Sequence, residues 1–221
     1  MSELDLRDRI RDVPDFPSEG IIFKDLMPLI ADPEYFAETI RRLADWARPR
    51  EPALIFGAEA RGFIFGAALA YALGAGFIAA RKPGKLPRET VEATYELEYG
   101  TDSLQVHKDA VPPGPRVIVL DDVLATGGTA RAKVELVEGL GGIVAGVLFV
   151  IELDFLKGRE RLAGYDVHSL IPSAPPSREG PGRPEDGRAP ARRARAPRRP
   201  RARSCAARRS ASGAPARRAA R

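Results

Sequence analysis

The sequence contains a single cysteine, Cys205, among 221 residues. With no second cysteine, no disulfide can form within the chain, and the disulfide-stapled secreted domains are excluded as a class. A protein of this kind must draw its stability from a hydrophobic core. The cysteine usage agrees with a reducing compartment, and we expect a cytoplasmic protein.

Hydrophobic runs that suit a membrane helix are also missing. The run 143–151 has nine apolar residues, and the longer run 62–80 is divided by Gly74 and Gly76 into a predicted helix over 63–73 and a predicted strand over 76–80, whereas a membrane-spanning helix needs about 20 uninterrupted apolar residues. Residues 1–12 alternate acids, arginines and leucines, and they lack the apolar centre of a secretion signal. We therefore expect no membrane association, and we interpret 143–151 as a buried strand.

Large apolar side chains disappear beyond Ser173. Residues 174–221 contain no Val, Ile, Leu, Met, Phe, Trp or Tyr, and they carry 15 Arg, 3 acids and eight prolines, a net charge of +12. Residues 1–173 hold 20 basic and 27 acidic residues, a net charge of −7. A segment that cannot bury apolar surface cannot offset the entropy of ordering it. We expect a folded domain over 1–173 and a disordered tail over 174–221.

Two interpretations of this tail remain open. An Arg, Ala, Pro and Gly composition without lysine is typical of a GC-rich gene translated out of frame or past its stop codon, and this interpretation is favoured. The alternative is a nucleic-acid arm, because a flexible cationic segment binds phosphate backbones without sequence choice. The tail has no aromatic residue for base stacking.

Strand and helix patterns alternate along residues 1–173. Such βαβ alternation predicts an α/β fold with a mainly parallel sheet covered on both faces, whose strand order the sequence does not determine. The periodicity predicts helices over 4–13, from Asp32-Pro33 through Trp46, over 63–73 and over 130–140. It predicts extended segments over 20–25, 53–56, 76–80, 117–120 and 143–151.

The most informative motif spans 117–129. An apolar strand ends in Asp121-Asp122 and leads into Ala125-Thr126-Gly127-Gly128-Thr129, directly before a predicted helix. Glycines let backbone amides approach an anion, and the threonine hydroxyls add donors at the positive end of the helix. The carboxylates suit vicinal hydroxyls or a divalent cation. A sugar phosphate fits both halves, whereas a P-loop NTPase would need a Lys that is absent here.

Two further segments suit anions. Residues 57–63 (Gly-Ala-Glu-Ala-Arg-Gly-Phe) lie at another strand-to-helix turn, where Arg61 could donate two hydrogen bonds to a phosphate. Without the motif over 117–129, Glu59 and Arg61 would indicate only a surface ion pair. Residues 81–88 combine four cations with two prolines and a glycine, as in a lid over an anionic ligand. From its composition alone, this segment would be interpreted as a solvated hairpin.

These segments, in their order and spacing, resemble the adenine phosphoribosyltransferase family of type I phosphoribosyltransferases. The resemblance covers about residues 4–173 and includes Phe-Pro-Ser-Glu-Gly-Ile-Ile-Phe-Lys-Asp over 16–25 and Leu-Glu-Tyr-Gly over 97–100. It implies a sheet with a small N-terminal hood and a mobile lid loop. It also implies purine salvage, in which adenine and 5-phosphoribosyl 1-diphosphate (PRPP) give AMP and diphosphate with Mg²⁺ in a homodimer.

The same resemblance implies the site residues. Adenine would lie between Phe23 and Val123, with its edge read by the backbone near Ile22 and Lys24. Glu98, Arg61 and Lys82 would be catalytic, with Glu98 the acid near purine N7. The residues that would contact PRPP or AMP are Glu59, Arg61, Arg81, Lys82, Tyr99, Asp121, Asp122, Ala125, Thr126, Gly127, Gly128 and Thr129. No protein ligand is assigned to the metal, which PRPP would carry.

Rival functions stay open at this point. Within the enzyme class, the rivals are hypoxanthine/guanine, xanthine and orotate specificities. In another class, a PRPP-sensing regulator could use the tail on nucleic acid. The lid favours the enzyme, because a sensor has no need to stabilise a departing diphosphate.

Overall fold

The fold is built around a five-stranded parallel sheet. The structure is a computed structural model that describes residues 4–96 and 101–173. The predictions for Glu98, Tyr99 and the tail fall outside the described residues. In chain order the elements are β1 (Arg11–Pro14), β2 (Ile22–Asp25), α1 (Met27–Ala31), α2 (Pro33–Ala47), β3 (Leu54–Ala58), α3 (Arg61–Leu73), β4 (Gly76–Ala80), β5 (Thr90–Glu96), β6 (Thr101–His107), β7 (Arg116–Leu124), α4 (Gly128–Gly139), β8 (Ile143–Leu153) and β9 (Val167–Ser173). Short 3₁₀ turns occupy Leu6–Arg9, Arg48–Arg50, Asp154–Leu156 and Gly158–Leu162.

The sheet order is β4-β3-β7-β8-β9, with every neighbouring pair parallel. Two antiparallel hairpins stand outside it, β1–β2 and β5–β6. The α/β class, the mainly parallel sheet and the flanking helices are confirmed. The β1–β2 hairpin contains the predicted hood residues 22–25, and the predicted lid 81–88 is a loop between β4 and β5.

The core lies on both faces of the sheet. Along β7, Val117 and Val119 point into one apolar cluster, and Ile118 and Leu120 into the other. The first cluster includes side chains of α4 and β6, and the second includes side chains of α2 and α3. A strand buried on both faces needs a continuous apolar run. Each such side chain contributes roughly 1.5–3 kcal/mol to stability by its burial.

Several local expectations need correction. The helix predicted over 4–13 is wrong, because only Leu6–Arg9 form a 3₁₀ turn and Arg11–Pro14 pair with β2 instead. Strand β9 was not predicted, although it completes the sheet beside β8. Strand β7 runs four residues past the predicted end at Leu120, since Asp121 to Leu124 continue its pairing with β8.

Other boundaries agree with local chemistry. Helix α2 begins as predicted, with the Asp32 carboxylate accepting hydrogen bonds from the amides of Glu34 (3.1 Å) and Tyr35 (3.3 Å). Pro33 occupies the first turn, where its missing N–H costs nothing. Among the described residues, no helix has the length and apolarity to cross a membrane.

The topology brings two predicted anion sites together. Strands β3 and β7 are parallel neighbours, with Gly57 opposite Leu120. Their carboxyl ends therefore share one edge of the sheet, so the turn over 57–62 lies beside the segment over 121–129. Ligands of open α/β sheets bind at this edge.

Candidate active site

The two acids of the strongest motif sit on the end of β7 in different surroundings. The Asp121 carboxylate contacts the ammonium of Lys133, a side chain of α4 with no exposed surface. The neighbouring Asp122 is itself buried, and its Oδ2 lies 2.5 Å from Nε of Arg61. This contact has the distance of an ion pair without the alignment of a hydrogen bond. Each acid is therefore matched by one cation from a different helix.

Burial dominates the electrostatics of Asp122. Loss of solvent, followed by the negative charge of Asp121, raises the pKa of Asp122 to about 6. The charges of Arg61 and Lys133 act against this rise. Asp122 is thus closer to titration at neutral pH than a solvated aspartate, and a change in its neighbours should shift its pKa.

The predicted phosphate loop lies between β7 and α4. Gly127 has φ +84°, and a Cβ placed on it would lie 2.4 Å from the carbonyl oxygen of Gly158. Only glycine fits this position, because a side chain would be both strained and obstructed. No side chain caps the start of α4, and its first turn holds no acid. The first amides of a helix have no partner within it, so this N-terminus favours an anion in the loop.

A cavity of about 330 Å³ joins this loop to the hood. Phe23 and Val123 both line it, together with Arg61. The guanidinium carbon of Arg61 lies 4.9 Å from the centre of the Phe23 ring, a cation–π contact. The full lining is Ile21, Ile22, Phe23, Lys24, Arg61, Asp121, Asp122, Val123, Ala125, Thr129 and Leu153. The hood, the acid pair and the phosphate loop thus face one volume.

Glu59, in the strand-to-helix turn over 57–62, holds the lid in place. Glu59 accepts hydrogen bonds from Nε (3.2 Å) and Nη2 (3.0 Å) of Arg81 and from the backbone N–H of Lys82 (2.5 Å). The Lys82 amide, ahead of the Arg81 guanidinium, lowers the pKa of Glu59. Glu59 and Arg61 therefore do not pair with each other, because Arg61 turns to Asp122 and Glu59 to the lid.

The lid lysine is occupied by a second carboxylate. The ammonium of Lys82 contacts Asp102 on β6, and this hydrogen bond raises the pKa of Lys82. The Tyr95 hydroxyl donates to the same carboxylate at 3.1 Å. Burial raises the pKa of Tyr95, and a side-chain hydrogen bond with Thr129 opposes that rise. The β5–β6 hairpin thereby links the lid to the phosphate loop.

Three of these residues were missed by sequence reasoning: Lys133, Asp102 and Tyr95. Lys133 left a readable signal, because Ala130, Val134 and Val137 share its helical face and are all apolar. A lysine in such a stripe requires a buried partner. Asp102 and Tyr95 left none, since their meeting with Lys82 and Thr129 depends on how the hairpin folds over the loop.

Comparison with known proteins agrees with this geometry. The sequence profile of the Phosphoribosyl transferase domain matches residues 30–169. The adenine phosphoribosyltransferase of Rubrobacter xylanophilus is 57% identical over 175 residues, which cover 79% of this chain and 95% of that protein.

Solved structures are equally similar. The adenine phosphoribosyltransferase of Thermoanaerobacter pseudethanolicus superposes with a TM-score of 0.75 at 55% identity, covering 76% of this chain and 98% of that one. The Saccharomyces cerevisiae enzyme, solved with an imino-altritol bisphosphate and adenine, gives a TM-score of 0.71 at 45% identity and covers 75% and 96%. This chain belongs to the adenine phosphoribosyltransferases, within the phosphoribosyl transferase domain family.

Proposed function

We propose that this chain transfers the phosphoribosyl group of PRPP to adenine, releasing AMP and diphosphate in purine salvage. The observation that carries the proposal is the single cavity in which an aromatic hood, an acid pair and a phosphate loop meet. A planar base, a ribose and a 5′-phosphate require these three surfaces in this order. The family of the chain supports the same reaction.

The hood supplies the base site. Phe23 and Val123 offer apolar surface to the two faces of adenine. Both backbone groups of Ile21 are used within the turn, its N–H by Ser18 and its C=O by Phe16. Because successive residues of a strand direct their backbone groups to opposite edges, Ile22 and Lys24 direct theirs away from β1. One N–H and one C=O can then match the donor and acceptor on the adenine edge.

The carboxyl end of β7 supplies the ribose and phosphate sites. Asp121 and Asp122 accept hydrogen bonds from the vicinal hydroxyls of the ribose. The 5′-phosphate lies against the amides and hydroxyls of Ala125 to Thr129, at the positive end of α4. Charge-assisted hydrogen bonds of this kind contribute about 1.5–3 kcal/mol each.

The cations supply the diphosphate site. As the bond at ribose C1 breaks, negative charge develops on the leaving diphosphate, and cations aimed at it lower the barrier. Arg61 and Lys82 act as catalytic residues by contacting that group, with Arg81 and Glu59 holding the lid beside it. Glu98 assists the purine at N7 by proton transfer as N9 attacks, and Tyr99 contacts PRPP; both assignments rest on the family resemblance.

Magnesium enters with the substrate in this proposal. The described residues contain no group of three or more His, Cys, Asp or Glu side chains that could hold a metal ion. The carboxylates of Asp121 and Asp122 are already matched by Lys133 and Arg61. We therefore assign no protein ligand to Mg²⁺, which in this proposal is bound by the phosphates of PRPP.

The substrate assay tests the proposal. Purified protein is mixed with PRPP and, separately, with adenine, hypoxanthine, guanine, xanthine and orotate, and diphosphate release is measured. We expect turnover with adenine at least about 100-fold above every other base, because a mismatched polar edge leaves buried groups unpaired. Turnover of another base at the adenine rate would reassign the specificity. We also propose a homodimer, which light scattering on the purified protein tests, and a cytoplasmic location, which cell fractionation tests.

A second function is suggested by the charge of +12 on residues 174–221, which suits a nucleic-acid-binding regulator. Truncation after Ser173 separates the two. We expect the truncated chain to keep its melting temperature and adenine turnover, since the tail holds no large apolar side chain, and to lose any salt-sensitive nucleic-acid binding. A drop in turnover of about tenfold, or about 1.4 kcal/mol in the barrier, would make the tail part of the enzyme.

A further inference from the structure

Lys133 is a fully enclosed cation in the centre of the fold. Its side chain has 0% exposure, on a face of α4 that it shares with buried Val134 and Val137. Its ammonium contacts Oδ2 of Asp121. An enclosed ammonium without a partner is strongly disfavoured, so this pair is fixed once the domain has folded.

The Asp121 carboxylate is held from several sides. Lys133 takes Oδ2, while Oδ1 accepts a hydrogen bond from the backbone N–H of Asp122 at 3.1 Å. A Cβ placed on Gly62 would lie 2.8 Å from Oδ1, so the backbone of α3 presses against the same oxygen. The orientation of this side chain is therefore set before any ligand arrives.

Four charged groups meet here from three elements: Asp121 and Asp122 on β7, Arg61 on α3 and Lys133 on α4. The two cations differ in their freedom. Arg61 is 35% exposed and borders the cavity, so it can turn from Asp122 to a diphosphate. Lys133 is enclosed and cannot. When Arg61 leaves, Lys133 is the cation that stays beside the acid pair and offsets part of its negative charge.

We infer that Lys133 is a positioning residue for phosphoribosyl transfer. It fixes the orientation of Asp121 toward the ribose hydroxyls and keeps one positive charge beside the acid pair while Arg61 serves the diphosphate. This inference rests on the proposed function, because it assigns Lys133 a role in binding PRPP. The residue touches no substrate and acts through Asp121.

The test compares Lys133→Met with two further variants. Lys133→Gln keeps a hydrogen-bond donor of similar length without the charge, and it serves if the methionine variant fails to fold. Val137→Ala disturbs the same buried face of α4 without touching the acid pair. For each, the melting temperature, the affinity for PRPP by calorimetry, kcat and the KM values of both substrates are measured from pH 5 to pH 9.

We expect both Lys133 variants to weaken PRPP binding and raise its KM by about tenfold or more, with kcat and the adenine KM changed less than about threefold. Loss of Lys133 removes a charge that holds down the pKa of Asp122, now about 6. Asp122 would then take up its proton at higher pH. On the acidic side of the pH profile (the acid limb), the fall in kcat/KM for PRPP should therefore begin at a higher pH. Val137→Ala should lower only the melting temperature.

A folded Lys133 variant with wild-type PRPP affinity and an unmoved acid limb would overturn the inference. An equal rise in both KM values would also overturn it, because that pattern indicates general disturbance of the fold. Failure of the wild-type protein to use adenine would instead defeat the proposed function. The PRPP calorimetry would still test Lys133 in that case, since it needs no turnover.

Discussion

Two of the lysine–aspartate pairs near the candidate site, Lys133–Asp121 and Lys82–Asp102, differ mainly in their access to water. In the Lys133–Asp121 pair, which joins α4 to the end of β7, the side chains are 0% and 15% exposed. In the Lys82–Asp102 pair, which joins the lid to β6, they are 48% and 22% exposed. Enclosure makes the first pair part of the framework, whereas the second can exchange its carboxylate for a phosphate.

The energetics of the two pairs follow from this difference. Breaking a buried pair leaves an unpaired charge in a medium that solvates it poorly, at a cost of about 3–5 kcal/mol. An exposed pair is screened by water and salt and contributes about 0–1 kcal/mol. We therefore expect a bound diphosphate, which carries several negative charges, to displace Asp102 from Lys82 but not Asp121 from Lys133.

The largest change in the kinetics should come from replacing the acid pair at the end of β7. Replacing both Asp121 and Asp122 by Asn removes two charge-assisted acceptors, each worth about 1.5–3 kcal/mol. We expect kcat/KM for PRPP to fall by about 10²- to 10⁴-fold. Glu135→Gln, which removes an exposed acid from α4, serves as the control and should leave the kinetics unchanged. Wild-type kinetics in the double variant would remove the acid pair from the site.

The next effect should come from the lid cation. In the proposed function Lys82 acts on the departing diphosphate, so we expect Lys82→Ala to lower kcat by about 100-fold while AMP affinity changes much less. Arg88→Ala removes a positive charge from the other end of the lid and should leave kcat nearly unchanged. Equal losses of kcat and AMP affinity would give Lys82 a role in ground-state binding only.

The smallest effect should come from the exposed acid. Asp102→Asn frees Lys82 from its competitor, so we expect the KM for PRPP to fall by up to about fivefold, the equivalent of about 1 kcal/mol. Asp109→Asn, which removes the exposed partner of Arg88, should leave that KM unchanged. In a background that already carries Lys82→Ala, Asp102→Asn should have no effect on the KM for PRPP. A tenfold rise in that KM would make Asp102 a framework residue like Asp121.

The surroundings of the Lys133–Asp121 pair were predicted better from the sequence than the surroundings of the Lys82–Asp102 pair. The strand-to-helix motif at Asp121 to Thr129 is local, so the succession of strand, turn and helix could be predicted from residue spacing, although the strand ends at Leu124 and not at Leu120. The adjacency of this motif to Arg61 followed from the rule that parallel strands share a carboxyl edge. The order of the strands, and strand β9, depend on long-range pairing that no local pattern specifies.

The partners of the charged residues were the least predictable part. Arg61 and Lys82 were expected to contact diphosphate, but sequence could not show that Asp122 and Asp102 hold them before a ligand binds. The prediction of a helix over 4–13 was wrong for a similar reason. Its residues have helical spacing, yet pairing of Arg11–Pro14 with β2 competes with that tendency and prevails.

The contrast between the two pairs is tested most directly by a crystal structure of the protein with AMP and diphosphate bound. We expect Lys82 to leave Asp102 and to contact a diphosphate oxygen, while Lys133 stays on Asp121 without displacement. A structure in which bound diphosphate leaves Lys82 on Asp102, or in which Lys133 parts from Asp121, would contradict the account.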